Sequence, residues 1–317
     1  MTTAFVFPGQ GSQAVGMGQE LANAFPAARA VYEEVDEALG FKLSGIIQLG
    51  PEQELTSTEN AQPAIMAVSL AAFRVMQTEM GVALPGSAVC VAGHSLGEYS
   101  ALTAAGSFTV AECARLLKIR GSAMQAAVPQ GKGMMAAIIG PELDGVKAIV
   151  QEAKIQAGAS EVIEVANHNA PNQIVISGTA KGIEVAMAVA KEKGAKRALP
   201  LPVSAPFHCS MMSPAAMAMK DALAGAKLNA PAVPLVANVM AEYVSDPEVI
   251  RQLLVEQVTG MVRWVDSVLA MQAHGITRVV EIGHGNVLAG LIKRIAPEIQ
   301  TVNIASPADL EQFAKAA

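Results

Sequence analysis

The pattern of apolar and polar positions along the first half of the chain predicts strands that alternate with helices. Short apolar runs at residues 5–7 and 88–92, each followed by a glycine-containing turn, are typical of buried strands. Helical periodicity covers residues 19–39 and 61–80, and Pro63 fits the first turn of the second helix. Because such alternation usually builds a sheet covered by helices, the pattern favours the α/β class.

The order of predicted strands and helices changes after residues 128–133, a linker that contains proline and glycine. The elements predicted next are a strand at 134–139, a helix at 143–158, strands at 162–166 and 174–177, a helix at 182–193 and a strand at 198–203. This βαββαβ order is typical of a ferredoxin-like arrangement.

The α/β pattern returns in the last third of the chain. The predicted strands there are 235–239, 278–281 and 301–304, and the predicted helices are about 247–256, 261–273 and 287–295. The sequence therefore predicts a discontinuous large domain, residues 1–130 and 204–317, with parallel strands. A small ferredoxin-like domain, residues 131–203, is inserted into it.

Composition narrows the function classes. Of the 317 residues, 52% are apolar and 4% are aromatic, which fits helices packed closely on a sheet better than a β-sandwich. The net charge of −6 argues against a general nucleic-acid binder. The longest uncharged stretch, residues 198–219, contains four prolines, so a membrane helix is not expected there.

The cysteines indicate the redox compartment. Cys90, Cys113 and Cys209 have no metal-ligand spacing and cannot all pair with one another. The simplest interpretation is a reduced, cytoplasmic protein without a metal site. Residues 1–6 agree, because they show neither the basic segment nor the apolar core of a signal peptide.

The residues Gly93-His94-Ser95-Leu96-Gly97 are the most informative motif. They lie between the strand predicted at 88–92 and helices that continue to about residue 127. A Gly-x-Ser-x-Gly turn between strand and helix lifts its serine above the carboxyl edge of the sheet, where Ser95 is a candidate nucleophile. The amide of Leu96 then points at an oxyanion formed during attack by Ser95. The alternative is a glycine-rich turn with a solvated serine.

A serine nucleophile needs an adjacent base, and His208 is the leading candidate. It follows the last predicted strand of the insert, where a loop can return to the carboxyl edge of the large sheet. His284 is the next candidate, whereas the side chain of His94 is expected to point away from the nucleophile. No aspartate stands out as the residue that orients the base. A Ser–His dyad, with the imidazole held by a carbonyl, is therefore plausible.

Arg120 follows the helical region behind the elbow. A guanidinium binds a carboxylate with two parallel hydrogen bonds, so Arg120 in an acyl pocket would select acyl groups that end in a carboxylate. The alternative is an arginine that caps the last carbonyls of its helix.

The glycine-rich residues 7–14 match a dinucleotide fingerprint formally, but the acidic residues about 20 positions later lie in a helical pattern. A better use is close backbone approach to a reacting carbonyl, with the amide of Gln10 as a second oxyanion donor. A basic cluster on the insert could meet the phosphates of coenzyme A or an acidic protein, or be a solvated helix end. Its members are Lys191, Lys193, Lys196 and Arg197.

Together these motifs resemble the malonyl-CoA:acyl carrier protein transacylase family. The resemblance spans nearly the whole chain and is carried by residues 5–13, 93–99, 120–121, 165–167, 171–173, 206–208, 253–257 and 288–292. It implies an α/β-hydrolase-like large domain with a ferredoxin-like insert. It also implies transfer of a malonyl group from malonyl-CoA to the carrier protein, without a cofactor, by a monomer.

The resemblance assigns roles to individual residues. Ser95 is the nucleophile, His208 is the base, and Gln10 and Leu96 are the oxyanion-hole donors. Arg120 and Gln173 bind the substrate, and Gln257 orients His208 through its main-chain carbonyl. Lys196 and Arg197 contact the carrier protein or coenzyme A. The chain departs from the family at His284, where proline is usual, and at Asn286, where lysine is frequent. A serine thioesterase and a non-catalytic carrier-binding protein remain the alternative functions.

Overall fold

Two sheets organise the protein in this computed structural model, which describes residues 1–316. The strands are β1 Thr3–Phe7, β2 Cys90–Gly93, β3 Gly133–Ile139, β4 Ile163–Ala170, β5 Gln173–Thr179, β6 Arg197–Pro200, β7 Leu235–Val236, β8 Tyr243–Val244, β9 Arg278–Ile282 and β10 Gln300–Ile304.

Fourteen α-helices and one short 3₁₀ turn, Ser210–Met212, connect these strands in the described part of the chain. The helices are α1 Gln19–Ala24, α2 Pro26–Leu39, α3 Leu43–Leu49, α4 Glu52–Thr56, α5 Thr58–Met80, α6 Gly97–Ala104, α7 Val110–Ala126, α8 Leu143–Ala157, α9 Ala180–Glu192, α10 Ser213–Gly225, α11 Pro247–Glu256, α12 Trp264–Ala273, α13 Val287–Ile295 and α14 Pro307–Ala316.

The larger sheet has the order β10-β9-β1-β2-β7-β8, and every pair is parallel except β7 with β8. Alternate residues of β1 face opposite cores, as the pleat of a strand requires. Phe5 packs with Phe73 of α5 on one face, with ring centroids 6.2 Å apart. Val6 packs with Trp264 of α12 on the other. This sheet and its helices are called the large subdomain below, and they confirm the predicted α/β class.

The smaller sheet is antiparallel, with the order β4-β5-β3-β6. Together with α8 and α9 it forms the small subdomain, whose own apolar core includes Ile138, Ile149 and Ile183. The order of its elements along the chain is the βαββαβ order expected of a ferredoxin-like unit. Its strands all lie between Gly133 and Pro200. The domain limits 1–130, 131–203 and 204–317 stay a prediction.

Backbone hydrogen bonds join the two subdomains along β4. The amide of Val262 donates to the carbonyl of Ala166 at 2.9 Å, and the amide of His168 donates to the carbonyl of Val262 at 2.9 Å. The register of β4 shifts on both sides of this bridge. Such bulges bend a strand and re-aim its side chains, so β4 can turn its polar residues toward the large subdomain.

The structure corrects several predicted element limits. The helical region expected over 19–39 is divided into two helices at Phe25, which is extended because it precedes Pro26. The helix expected from residue 61 begins at Thr58, so Pro63 lies inside α5 and not in its first turn. The short helices α3 and α4 were not predicted, because too few residues repeat to give a period.

No helix within residues 1–316 is long and apolar enough to cross a membrane.

Candidate active site

A cavity of about 540 Å³ lies between the two subdomains. Gln10, Ser95 and Arg120 line it from the large subdomain, and Met135 and Val175 line it from the small one. This volume is typical of a small-molecule site, which combines apolar walls with a few convergent polar groups.

Ser95 lies at the sharp turn between β2 and α6. Its φ of 54° is in the left-handed region, which a residue with a side chain rarely adopts. The turn is tight because glycines flank it: a Cβ atom on Gly93 would lie 2.0 Å from the backbone of Gly97, and one on Gly97 would lie 2.2 Å from the carbonyl oxygen of Phe7. The serine is therefore held where a Gly-x-Ser-x-Gly elbow places its nucleophile.

His208 contacts the hydroxyl of Ser95 directly. Its Nε2 lies 2.8 Å from the Ser95 Oγ, and its Nδ1 lies 2.8 Å from the carbonyl oxygen of Gln257. Because a carbonyl only accepts, Nδ1 carries the proton and Nε2 is the free acceptor that faces the serine. Burial, with a smaller effect from the charge of Arg120, lowers the pKa of His208 to about 3. The imidazole is therefore neutral near pH 7, as a general base must be.

Arg120 of α7 is a buried cation at the base of the cavity. Its Nη1 donates to Oε1 of Gln62, and its Nη2 donates to Oε1 of Gln257, both at 2.8 Å. Nη2 also lies 3.2 Å from the Ser95 Oγ, and Nε has no partner. Within residues 1–316 no carboxylate forms an ion pair with Arg120. A buried charge whose hydrogen-bond partners are two side-chain amides and a hydroxyl favours an anionic ligand.

Two backbone amides near Ser95 are free. The N–H groups of Leu96, at the start of α6, and of Gln10, in the glycine-rich loop after β1, donate to no acceptor in the described chain. The loop approaches the elbow so closely that a Cβ atom on Gly9 would lie 2.5 Å from the carbonyl oxygen of His94. These amides fit the pair of donors that an oxyanion hole requires.

Among the other predicted residues, some lie away from the cavity lining. Gln173 begins β5 and accepts a hydrogen bond from Arg294 at 2.7 Å, so the structure does not bring it to the cavity. Lys196 and Arg197 lie exposed where β6 begins. His284 is in the loop after β9 and does not line the cavity.

The side chain of His94 lines the cavity, and its hydrogen bond goes to the small subdomain, so its expected orientation away from Ser95 stays a prediction. Its Nε2 lies 2.8 Å from Oδ1 of Asn169, and its ring is 5.7 Å from that of Trp264. Asn169 belongs to β4, so this contact joins the elbow to the small subdomain. Burial lowers the pKa of His94, so its imidazole is neutral and bridges the two subdomains without a charge.

Sequence reasoning missed three buried polar residues that support the elbow. Asn238 accepts from the amide of Ser95 at 2.8 Å and donates to the carbonyl of Gly93 at 2.7 Å. Glu98 accepts from the amide of Asn238, and Gln62 holds Arg120. The available signal was a polar residue within an apolar run, which acquires meaning only when the residue is known to be buried.

The described residues contain no cluster of three or more His, Cys, Asp or Glu side chains that could hold a metal ion. All three cysteines are free and buried.

Comparisons with known proteins agree with this geometry. The acyl transferase domain family matches residues 4–309. Malonyl CoA-acyl carrier protein transacylase from Bacillus subtilis is 42% identical over 308 residues, which cover 97% of this chain and 95% of the relative. The protein of that name from Escherichia coli K12 is 44% identical over 304 residues, covering 96% of each chain.

Solved structures extend the likeness to three dimensions. The acyl-carrier-protein-S-malonyltransferase of Bartonella henselae is 51% identical, covers 100% of this chain and 99% of its own, and superimposes with a TM-score of 0.96. A malonyl-transacylase in complex with a type II PKS acyl-carrier protein is 39% identical, covers 100% of both chains and gives a TM-score of 0.95.

The fold and the elbow are thus those of the acyl transferase class. At this identity, over nearly the full length of both chains, the protein belongs to the malonyl-CoA:acyl carrier protein transacylase family.

Proposed function

We propose that the protein transfers a malonyl group from malonyl-CoA to the phosphopantetheine thiol of an acyl carrier protein, and so supplies fatty-acid or polyketide elongation. The observation that carries this proposal is the position of Arg120, a buried cation without a counter-ion whose Nη2 lies 3.2 Å from the Ser95 Oγ. A malonyl ester of Ser95 would bring its free carboxylate to this guanidinium, whereas an acetyl group would leave the charge unpaired.

The first half-reaction forms the acyl-enzyme. His208 Nε2 takes the proton of the Ser95 hydroxyl as Oγ attacks the thioester carbonyl of malonyl-CoA. The amides of Leu96 and Gln10 stabilise the tetrahedral oxyanion. The loss of one such donor typically lowers the rate about 10²–10³-fold. The C–S bond then breaks, the proton passes from Nε2 to the sulfur of coenzyme A, and malonyl-Ser95 remains.

The second half-reaction reverses these steps with a different thiol. The phosphopantetheine thiol gives its proton to His208 Nε2 and attacks the ester carbonyl. The C–O bond to Ser95 breaks and Oγ recovers the proton, so malonyl leaves on the carrier. The carbonyl of Gln257 holds the imidazole in the required tautomer through both halves.

The exposed basic cluster is the proposed docking site for the acidic partner. Lys193 already pairs with Glu152 at 2.6 Å, whereas Lys196 and Arg197 form no ion pair with another described residue. Complementary charge mainly accelerates the encounter of the two proteins and sets their relative orientation.

We also propose that the protein is cytoplasmic, which its free cysteines support. We propose further that it is a monomer, which sedimentation velocity tests.

The test is intact-mass spectrometry after mixing the protein with malonyl-CoA or acetyl-CoA, with Ser95→Ala as the control variant. The expected result is a malonyl-sized adduct that is absent from the variant and moves to added holo carrier protein. Release of free malonate and coenzyme A without an adduct would mean a serine thioesterase instead. No reaction at all would indicate a non-catalytic protein that binds the carrier protein.

A further inference from the structure

Glu98 is a buried carboxyl group to which the mechanism above gives no role. It lies in the first turn of α6, three residues after Ser95, and is 2% exposed. Its Oε1 accepts a hydrogen bond from the backbone amide of Asn238 at 2.6 Å. Its Oε2 accepts a short hydrogen bond from the side-chain Nε2 of Gln257. Both oxygens are therefore occupied by residues that touch the catalytic dyad.

The contact with Gln257 decides which way that side-chain amide points. Its Nε2 donates to two oxygens, Oε2 of Glu98 and the carbonyl oxygen of Ser95, the latter at 2.9 Å. Its Oε1 is then left to accept from Nη2 of Arg120. The opposite orientation would set the NH₂ group against a guanidinium and the oxygen against two acceptors, which a buried site does not tolerate.

The contact with Asn238 acts on the nucleophile in the same manner. Glu98 fixes the backbone of Asn238, whose side chain binds the amide of Ser95 and the carbonyl of Gly93. This brace holds the serine at its positive φ, a conformation that persists only when surrounding contacts over-determine it.

We propose that Glu98 is a positioning residue for the transfer reaction: it fixes Arg120 through the side chain of Gln257 and Ser95 through Asn238. The inference rests on the proposed function and deepens it, because it makes selection of a carboxylate-bearing acyl group depend on a residue that touches no substrate. Arg120 is not aimed by an acidic partner of its own. The neutral side-chain amide of Gln257 orients the guanidinium, and Glu98 orients that amide.

The test compares Glu98→Gln with Asp36→Asn. Asp36 is also a buried carboxyl group, 5% exposed, and accepts hydrogen bonds from the amide and the hydroxyl of Ser44 at 2.9 and 2.6 Å, with no contact to the dyad, Gln257 or Arg120. Rates of Ser95 acylation by malonyl-CoA and by acetyl-CoA are measured in a single turnover, and the melting temperature is recorded for each variant.

Burial raises the pKa of Glu98 to about 8, so its role near pH 7 rests on hydrogen bonds and not on a full charge. Glu98→Gln is expected to lower malonyl acylation about 10- to 100-fold, because it places an NH₂ group where a buried donor, either the Gln257 side chain or the Asn238 amide, needs an acceptor. The malonyl-to-acetyl ratio is expected to fall as well, because acetyl transfer does not use Arg120. Asp36→Asn is expected to lower the melting temperature only. A wild-type ratio in Glu98→Gln would overturn the inference, whatever its melting temperature.

A second variant covers the case in which Glu98→Gln does not fold. Glu98→Asp keeps the carboxyl group but is shorter by one methylene, so its two oxygens cannot reach both donors, and its ratio is also expected to fall. An unchanged ratio in this variant would equally overturn the inference. Failure of the wild-type protein to be acylated by malonyl-CoA would overturn the proposed function instead, so the two failures are distinguishable.

Discussion

The guanidinium of Arg120 and the hydroxyl of Ser95 lie 3.2 Å apart at the base of one cavity. A cation so close to a nucleophile can bind the far end of a short acyl group while the near end reacts. It also contributes to the low pKa of His208, because a nearby positive charge opposes a second one on the imidazole. We therefore propose that this one residue affects both acyl-group selection and proton transfer.

Arg120→Ala is expected to lower the rate of malonyl acylation at least about 10²-fold, because breaking a buried charge contact costs about 3–5 kcal/mol. Acetyl acylation should be kept or increased, since the variant removes a charge that acetyl cannot pair. Single-turnover acylation with both thioesters measures this. Arg115→Ala, an exposed arginine of the same helix, is the control. An equal loss with both thioesters would contradict selection by Arg120.

The rate of acylation is expected to show no step near pH 6.5. Burial lowers the pKa of His208 to about 3, so the imidazole stays neutral and able to accept a proton well below the usual range of histidine. The pH dependence of malonyl acylation in rapid-mix experiments tests this, with His208→Gln as the inactive reference. A half-loss of rate at pH 6.5 would mean that His208 titrates as an exposed histidine.

The same pKa makes folding stability depend on pH in a definite direction. Since the folded value lies below the value of 6.5 for a free histidine, the unfolded chain binds the proton first. The contribution of His208 is complete above pH 6.5 and is lost as pH falls toward 3. At pH 5 the loss is about 2 kcal/mol. Urea unfolding at pH 7 and pH 5 should show this difference in the wild-type protein and a smaller one in His208→Gln.

The elbow should not tolerate a methyl group. Gly93→Ala places a Cβ atom 2.0 Å from backbone, so the variant is expected to lose about 3 kcal/mol or more of unfolding free energy and to lose acylation. Gly290→Ala is the matched control. Its Cβ meets nothing within 4 Å in helix α13, and it should gain about 0.5–1 kcal/mol. Equal stability of the two variants, measured by urea unfolding, would refute the packing argument.

Charge reversal of Lys196 and Arg197 should weaken transfer to the carrier protein and leave acylation by malonyl-CoA unchanged. The KM for the carrier is expected to rise, most at low salt, because exposed charges are screened as ionic strength increases. Lys154→Glu, an exposed lysine on α8 of the same subdomain, is the control. A rise in the KM for malonyl-CoA instead would assign the two residues to coenzyme A.

The local part of this site was predictable from the sequence. The elbow at Ser95 is defined by five consecutive residues, and its conformation follows from glycines that only the turn can explain. Apolar periodicity predicted most strands of both sheets, but it missed β8 and the helices α3, α4, α10 and α14. The limits of single elements were predicted less accurately, as the break at Phe25 shows.

The long-range part was not predictable from pattern alone. Gln257 reaches Arg120 across 137 positions, and Asn238 reaches Ser95 across 143. Contacts between residues so far apart in the chain leave no periodic signal in the sequence. Gln257 was identified from the family resemblance and not from its spacing. The contact of His94 with Asn169 was not foreseen either, because the bulged strand β4 brings Asn169 to the elbow from 75 positions away. Glu98 was overlooked because a charged residue in the first turn of a helix usually faces water.

The bond that fixes the tautomer of His208 comes from the main chain at position 257. A carbonyl is present in every amino acid, so no codon change at this position can delete it. An aspartate in the same role is lost in a single mutation. The side chain of residue 257 is thus available for a separate role, the orientation of Arg120. Variants at this position should therefore change the choice of substrate more readily than they abolish the reaction. Proton transfer is protected from point mutation, while selectivity is exposed to it.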